Sequence, residues 1–466
     1  MTAAAGTAQR HFWAPQAWIG GRWQADVAMA VDADGLFSAV RTGIDAPPGA
    51  TVLPGPVLPG MVNAHSHAFQ RAFAGLAERR STPRDDFWGW RDRMYGVALR
   101  IGPDQLRDIA TQLYGEMLQG GYTQVCEFHY LHHAPDGSRH ANPAEMSLAL
   151  VDAAQAAGIG LTLLPVLYER AGFSQPALRE DQRRFATDVD EVLRLRDAVR
   201  ALRRPQVMAG TAIHSLRAAS AASIDRLQHA VADDDGPIHI HIAEQTAEVD
   251  DCLAATGQRP IEWLARQVPL DARWHLVHAT HAQPAEMDAV ARAGASIVIC
   301  PSTEANLGDG LTDLPGWLAR HTVQSIGSDS HVSRSWADEL RLLEYGQRLA
   351  LRQRNVAAAP ELGIDATAAR LFDRSMAGGA AAAGFDAWGL VPGARADWLV
   401  IDGRAPGLWG VPDTHRLDAL VFATDAPAFS EVWVAGQRRV QAGRTPQHEA
   451  VGSRFAATMA ALWCNA

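Results

Sequence analysis

The chain has 466 residues and a formal net charge of −10, from 42 basic and 52 acidic side chains. Hydrophobic residues make up 47% and charged residues 20%, the balance of a globular enzyme, and the negative charge argues against a general binder of nucleic acid or of membrane surfaces. No lysine occurs in the sequence, which excludes a Schiff-base lysine, a P-loop lysine and a two-metal centre bridged by a carboxylated lysine, so a metal site is expected to hold one ion.

Length alone suggests about three domain-sized units, but an α/β barrel can use about 250 residues as one domain. From about Phe12 to Pro59 the chain reads as short strands and turns, with Ala17-Trp-Ile-Gly-Gly-Arg-Trp as a tight hairpin. Ala396-Asp-Trp-Leu-Val-Ile-Asp402 and Glu431-Val-Trp-Val-Ala-Gly-Gln437 read the same way near the other end. A small β-domain, a β-sandwich built from residues 1–58 and 391–466 with a terminal helix, is therefore expected to flank a middle region of residues 59–390.

In that middle region eight apolar, β-rich runs alternate with helical patterns. The runs are Val57–Asn63, Thr123–Phe128, Gly160–Leu167, Gln206–Ile213, Pro237–Ile242, Trp274–His278, Ser296–Cys300 and Val323–Gly327. The helical stretches include Pro103–Gln119, Pro143–Ala157, Asp181–Leu202, Ala221–Val231, Pro284–Ala293 and Ser335–Arg354. Eight β/α units closing on themselves make a TIM barrel, and no Gly-x-Gly-x-x-Gly turn follows an early strand to favour an open doubly wound sheet. Ala377-Gly-Gly-Ala-Ala-Ala-Ala383 is expected to be a closely packed helix. Cys126, Cys252, Cys300 and Cys464 are scattered without a Cys-x-x-Cys pair, as reduced thiols of a cytoplasmic protein would be. The first ten residues lack the pattern of a secretory signal, and no apolar run is long enough to span a bilayer.

Barrel chemistry sits at the C-terminal ends of the strands. The first strand ends in His65-Ser-His67, and residues two apart on a strand point to one face. The fifth ends in His239-Ile-His241-Ile-Ala-Glu244, the sixth at His278 and the eighth at Ser328-Asp329-Ser330-His331. A third histidine and an aspartate would complete a catalytic zinc site that keeps one position for water. Taken singly, each residue has a bland reading: Asp329 caps a loop, Glu244 is a first-turn acid, His278 is a packed histidine, and either His239 or His241 is a polar residue at the mouth. Four strand ends that each bring a residue type suited to hydrolytic metal chemistry outweigh those readings together. His129, His132 and His133 crowd the loop after the second strand without an acid at ligand spacing. They read as a solvated loop, with His129 near the mouth.

Pro59-Gly-Met-Val-Asn-Ala-His65-Ser-His67, His241-Ile-Ala-Glu244, His278 and Gly327-Ser-Asp329 resemble the deaminase branch of the amidohydrolase superfamily. The resemblance implies a (β/α)8 barrel with a flanking β-domain and one divalent metal, Zn2+ above all. It assigns His65, His67, His241 and Asp329 to the metal and chooses His241 over His239. It assigns Glu244, His278 and Asp329 to proton handling. Further blocks, among them Phe87-Trp-Gly-Trp-Arg91-Asp-Arg-Met-Tyr95, Glu127-Phe-His-Tyr130 and His214-Ser-Leu-Arg217, resemble the narrower formimidoylglutamate deiminase family. That resemblance implies hydrolysis of N-formimino-L-glutamate to N-formyl-L-glutamate and ammonia in histidine degradation, with Gln70, Arg91, Tyr130, His214 and Arg217 contacting the substrate. The expected partner is a small molecule carrying two carboxylates and a formimino group, with no nucleic acid or membrane, and the resemblance admits a homodimer.

The residues suit that substrate. Arginines bind carboxylates bidentately, opposite an acidic, metal-bearing end. Arg91 also has a plainer reading as a surface ion pair with Asp85, Asp86 or Asp92. The rival within enzymes is a deaminase or hydrolase of guanine, another purine, a triazine or a different N-substituted acidic amino acid; a heterocycle would call for stacking and amide contacts rather than two arginines. A non-catalytic barrel would have lost a ligand or a proton carrier, and all six positions are present.

Overall fold

The computed structural model of the chain describes residues 9–80 and 87–464. Eight parallel staves run in chain order around a barrel: Met61–Ser66, Tyr122–His129, Gly160–Leu167, a split fourth stave of Val207–Ala209 and Thr211–Ile213, Ile238–Ile242, Trp274–His278, Ser296–Ile299 and Val323–Ile326. Nearly all of their residues are buried, as parallel strands covered by helices on the outside and by side chains within require. The last stave returns to the first through a parallel bridge between Ser66 and Asp329. The barrel therefore closes on the residues that end its first and eighth staves.

Besides the expected run Gln206–Ile213, which forms the split fourth stave, two further expected elements divide. The run Val57–Asn63 is not one strand. Val57–Pro59 pairs with Trp398–Ile401 and with Ala17 in the terminal sheet, and the first stave begins only at Met61. Pro59 has no N–H to carry a ladder onward, so the break falls at Pro59-Gly60. The stretch Asp181–Leu202 becomes a short 3-10 turn, Glu180–Phe185, and a helix, Val189–Ala201. The second starts where the Asp188 side chain accepts the Glu191 N–H at 2.8 Å, capping a new N-terminus.

Strands from both chain ends form a separate sheet. Its order is Gln437–Gln441, Phe429–Val434, Trp398–Ile401, Val57–Pro59, Arg10–Ile19, Arg22–Val31 and Phe37–Arg41, with Thr51–Val52 alongside Arg10–Ile19. In its hydrogen bonding the expected sandwich is thus one continuous mixed sheet. Gly20-Gly21 turns the first hairpin, pairing Ile19 with Arg22. A cluster of rings fills its buried face, with Trp398 centred 4.9 Å from Phe12 and 5.0 Å from Trp433.

The small-residue helix Thr367–Ala383 packs against the first and eighth staves. A Cβ on Gly378 would fall 1.9 Å from the Gln324 carbonyl oxygen, so only glycine allows the approach. The carbonyls at the end of this helix accept hydrogen bonds from inward-facing barrel side chains: Ala382 from Cys126 and from His239 at 2.9 Å, and Ala383 from Thr162 at 2.9 Å. His239, two residues before His241 on the same stave, is thereby engaged by the helix end below the mouth. No disulfide joins the four cysteines. Among the described residues no helix is long and apolar enough to cross a membrane.

Candidate active site

At the C-terminal mouth, His65 Nε2 lies 3.1 Å from His67 Nε2 and 2.9 Å from His241 Nε2. Asp329 Oδ1 is 3.3 Å from His67 Nε2 and 3.7 Å from His65 Nε2. All four side chains are buried. His67 Nδ1 faces the Phe128 carbonyl at 2.9 Å, and a carbonyl only accepts, so Nδ1 carries the proton. Burial pushes the His67 imidazole down to about 3 and, with neighbouring imidazoles, holds His65 and His241 well below the usual histidine range. A neutral His67 protonated on Nδ1 turns a bare Nε2 lone pair toward His65. Three imidazole nitrogens and one carboxylate oxygen converging in this way make a donor set that fits a divalent ion.

The barrel seam makes this convergence. Asp329 N–H donates to the His65 carbonyl at 3.0 Å, and Asn63 ties the two staves by donating to Ser328 Oγ at 2.7 Å and accepting the Ser328 N–H at 3.0 Å. His331 Nε2–H reaches the His67 carbonyl at 3.0 Å. A Cβ on Gly327 would lie 2.6 Å from His65 Cβ, so the approach requires glycine. Glu127 braces the first stave from the other side, accepting from Ser66 Oγ at 2.7 Å and from the Ala68 N–H at 2.6 Å. Ala243, His278, Ala279, Asp329 and His331 all have positive φ without being glycine. Such backbone costs about 1 kcal/mol or more per residue and clusters at functional sites.

Beside the histidines sits an acidic arc. His278 Nε2 is 3.7 Å from Glu244 Oε1 and 3.7 Å from Asp329 Oδ2, while its Nδ1 is 3.3 Å from Glu304 Oε1. Burial opposes a charge on His278, yet Glu244, Glu304 and Asp329 outweigh it and push its pKa up to about 10. Burial raises Asp329 to about 7, with Glu244 and Glu304 adding repulsion and His278 opposing. His278 is therefore held as a cation within the acidic arc.

A cavity of about 450 Å³ opens onto the arc. Its wall carries His67, His241, Glu244, His278 and Asp329 together with Gln70, Arg91, Tyr130, His214 and Arg217. Gln70 Nε2 donates to the Tyr130 hydroxyl at 3.1 Å, and its Oε1 is buried without a partner. His214 is seated against Tyr168, ring centroids 4.3 Å apart. Of the surface acids considered for Arg91, Asp92 lies 3.6 Å away, and Asp85 and Asp86 fall outside the described residues.

Three histidines differ from their sequence reading. His129, His132 and His133 are buried rather than solvated. The long segment carrying Arg184 folds over them, and the Arg184 carbonyl accepts the N–H groups of His132 and His133, both at 3.1 Å. Several residues at the site carry no sequence signal of their own. Glu304 meets His278, Glu248 accepts the N–H groups of Ala243 and Glu244 at 3.2 and 3.1 Å, and Thr303 Oγ1 accepts the Ser330 N–H at 3.1 Å. Glu304 and Glu248 each sit in the first turn of the helix that follows a stave, where an acid is ordinary.

The amidohydrolase family model matches residues 57–439. Formimidoylglutamate deiminase of Pseudomonas aeruginosa is 47% identical over 441 residues, covering 94% of this chain and 96% of the relative. The crystal structure of an amidohydrolase from Brucella melitensis aligns with a TM-score of 0.91 at 41% identity, over 97% of this chain and 99% of that one. A zinc-bound adenosine deaminase from Xanthomonas campestris aligns at 0.80 over 97% and 98% of the two chains; at 23% identity it is a likeness of fold. A closed barrel whose seam gathers histidines and aspartate, matched along most of its length in these ways, places the chain in the amidohydrolase family.

Proposed function

We propose that this protein hydrolyses N-formimino-L-glutamate to N-formyl-L-glutamate and ammonia, with one divalent ion, Zn2+, held by His65, His67, His241 and Asp329. The observation that carries the reading is the pairing, in one cavity, of Arg91 and Arg217 with the acidic arc of Glu244, His278 and Asp329. A substrate with two carboxylates at one end and a cationic amidine at the other is complementary to that division of charge. The 47% identity to a formimidoylglutamate deiminase supports it independently.

When bound, the ion supplies Lewis acidity, lowering the pKa of a water to about 7. The remaining chemistry belongs to side chains. As the water oxygen bonds to the formimino carbon, the carboxylate oxygen Asp329 Oδ2 takes up the proton that is released, and His278 Nε2, 3.7 Å away, orients that oxygen by donating to it. Glu244 faces the same space and delivers a proton to the departing amidine nitrogen, so the C–N bond breaks with ammonia as leaving group. The free Oε1 of Gln70 accepts a hydrogen bond from the substrate, and Tyr130 and His214 line its path. Arg91 and Arg217 anchor the two carboxylates.

The test compares ammonia release from N-formimino-L-glutamate, guanine and adenosine by the zinc-loaded protein. Turnover of the first alone is expected. Faster release from either nucleobase compound would overturn the substrate assignment.

A further inference from the structure

The two arginines of the cavity share one aromatic partner. The guanidinium carbon of Arg91 lies 4.4 Å from the centroid of the Trp88 ring, and that of Arg217 lies 5.3 Å from the same ring. Trp88 and Arg91 stand three apart on the helix Phe87–Ala98, which puts them on neighbouring positions of its surface. Arg217 comes from the loop after the fourth stave. The indole is thus where the covering helix and the barrel mouth hold their arginines together.

Its position relative to the cavities is informative. Arg91 and Arg217 line both the active-site cavity and a second, outer cavity of about 1030 Å³. Trp88 lines the outer one. The indole therefore stands on the outer side of the arginine pair, and both arginines border the two spaces.

Carboxylates hardly take this role. The ion partner of Arg91 is the exposed Asp92, at 3.6 Å, and Arg91 Nε is buried without a hydrogen-bond acceptor. Among the described residues no carboxylate oxygen lies within 4.0 Å of the Arg217 guanidinium nitrogens. Two guanidinium groups held in one half-buried wall repel each other. A protein carboxylate between them would relieve the repulsion by filling the place a substrate carboxylate must take. The negative face of an aromatic ring attracts both cations while adding no net charge, and it leaves their N–H forks unspent.

We infer that Trp88 is a positioning residue that holds Arg91 and Arg217 at the spread of two carboxylates, and that through them it sets selectivity for dicarboxylate over monocarboxylate ligands. The inference rests on the reading above, in which these arginines bind the substrate carboxylates.

The experiment uses the full zinc-loaded chain with Trp88→Leu and Trp88→Phe. It measures steady-state ammonia release from N-formimino-L-glutamate, and calorimetric binding of glutarate, with two carboxylates, and butyrate, with one. In Trp88→Leu, KM and the glutarate Kd are expected to rise together by about tenfold, with kcat changing less than about threefold. Trp88→Phe, with a weaker ring face, is expected to recover part of that loss, leaving a rise of about threefold. Butyrate binding should hardly move. Unchanged KM and glutarate Kd in Trp88→Leu, or a fall in kcat at constant KM, would overturn the role. If Trp88→Leu does not fold, Trp88→Phe decides: an unchanged glutarate Kd overturns the inference. Failure of the wild-type protein to release ammonia from N-formimino-L-glutamate would instead count against the substrate reading, and glutarate binding would still report on Trp88.

Discussion

His278 is held from both sides by carboxylates, and Asp329 faces it with the oxygen that the histidine cluster leaves free. If Glu244 and Asp329 handle protons, removing their charge while keeping their shape should stop the chemistry and spare the fold. Glu244→Gln and Asp329→Asn are each expected to lower kcat by about a hundredfold or more. Ammonia release by the purified variants checks this, and near-normal release from either one sinks its role. Glu304 touches the far nitrogen of His278 and also accepts the Cys300 N–H at 2.9 Å. Glu304→Gln preserves an acceptor for both, whereas Glu304→Ala leaves His278 without its partner. We expect kcat to fall by about tenfold or more in the alanine variant at nearly constant KM, with most activity retained in glutamine. Equal losses in the two would mean that the carboxylate acts through its charge rather than through orientation.

At the scale of elements, two features tie the first stave to its surroundings. Gly327 lets the eighth stave close against His65, and Gly327→Ala would press a methyl into His65. A loss of about 2 kcal/mol of stability is expected, together with weakened metal retention. Thermal melting and zinc content measured on the same sample test both; a stable variant with full zinc content would show that the seam tolerates the methyl. The second tie is Glu116, on the helix Pro103–Gln119. Its carboxylate is bonded to Arg71 Nε at 2.8 Å, just past the first stave, and Arg334 Nε, beyond the eighth, lies 3.3 Å away. Burial opposes ionisation of Glu116, but the hydrogen bonds from Arg71 and Gln112 and the charges of Arg71 and Arg334 outweigh it, holding its pKa below the usual value. A carboxyl with a lowered folded pKa contributes stability at pH values above its unfolded pKa and loses it as pH falls through the folded one. Glu116→Gln should therefore melt below the wild type at pH 7, and the gap should narrow as pH drops below about 4. A gap that stays constant from pH 7 to pH 3 would contradict this electrostatic account.

The whole barrel is closed at the metal-fitting site, since the Ser66–Asp329 bridge and three of the four candidate ligands, His65, His67 and Asp329, share the seam, which His241 reaches from the fifth stave. Ligand binding there should stabilise the molecule, and removal should be felt globally. A site filled at about a thousand times its dissociation constant adds about 4 kcal/mol. Chelation is expected to abolish ammonia release and to lower the melting temperature, and stoichiometric Zn2+ should restore both. A melting temperature indifferent to chelator, in protein shown to have lost its metal, would separate the site from barrel closure.

The sequence by itself determined the barrel and the residues of its mouth. Local patterns suffice for this: apolar runs long enough to be buried on both faces, helical stretches between them, and polar residues at strand ends, where the fold puts its chemistry. The absence of lysine constrained the metal chemistry before any geometry. Tertiary structure alone decided the rest, because these features depend on residues far apart in the chain. Pro59-Gly60 divides one apolar run between two sheets, since its halves find different partners. The end of the helix Thr367–Ala383 engages the His239 ring and so leaves His241 as the histidine at the mouth. The segment around Arg184 buries three histidines that read as solvated. Glu304, Glu248 and Trp88 gain their significance only from what stands opposite them, and side-chain opposition across a closed barrel leaves no periodic trace in the sequence.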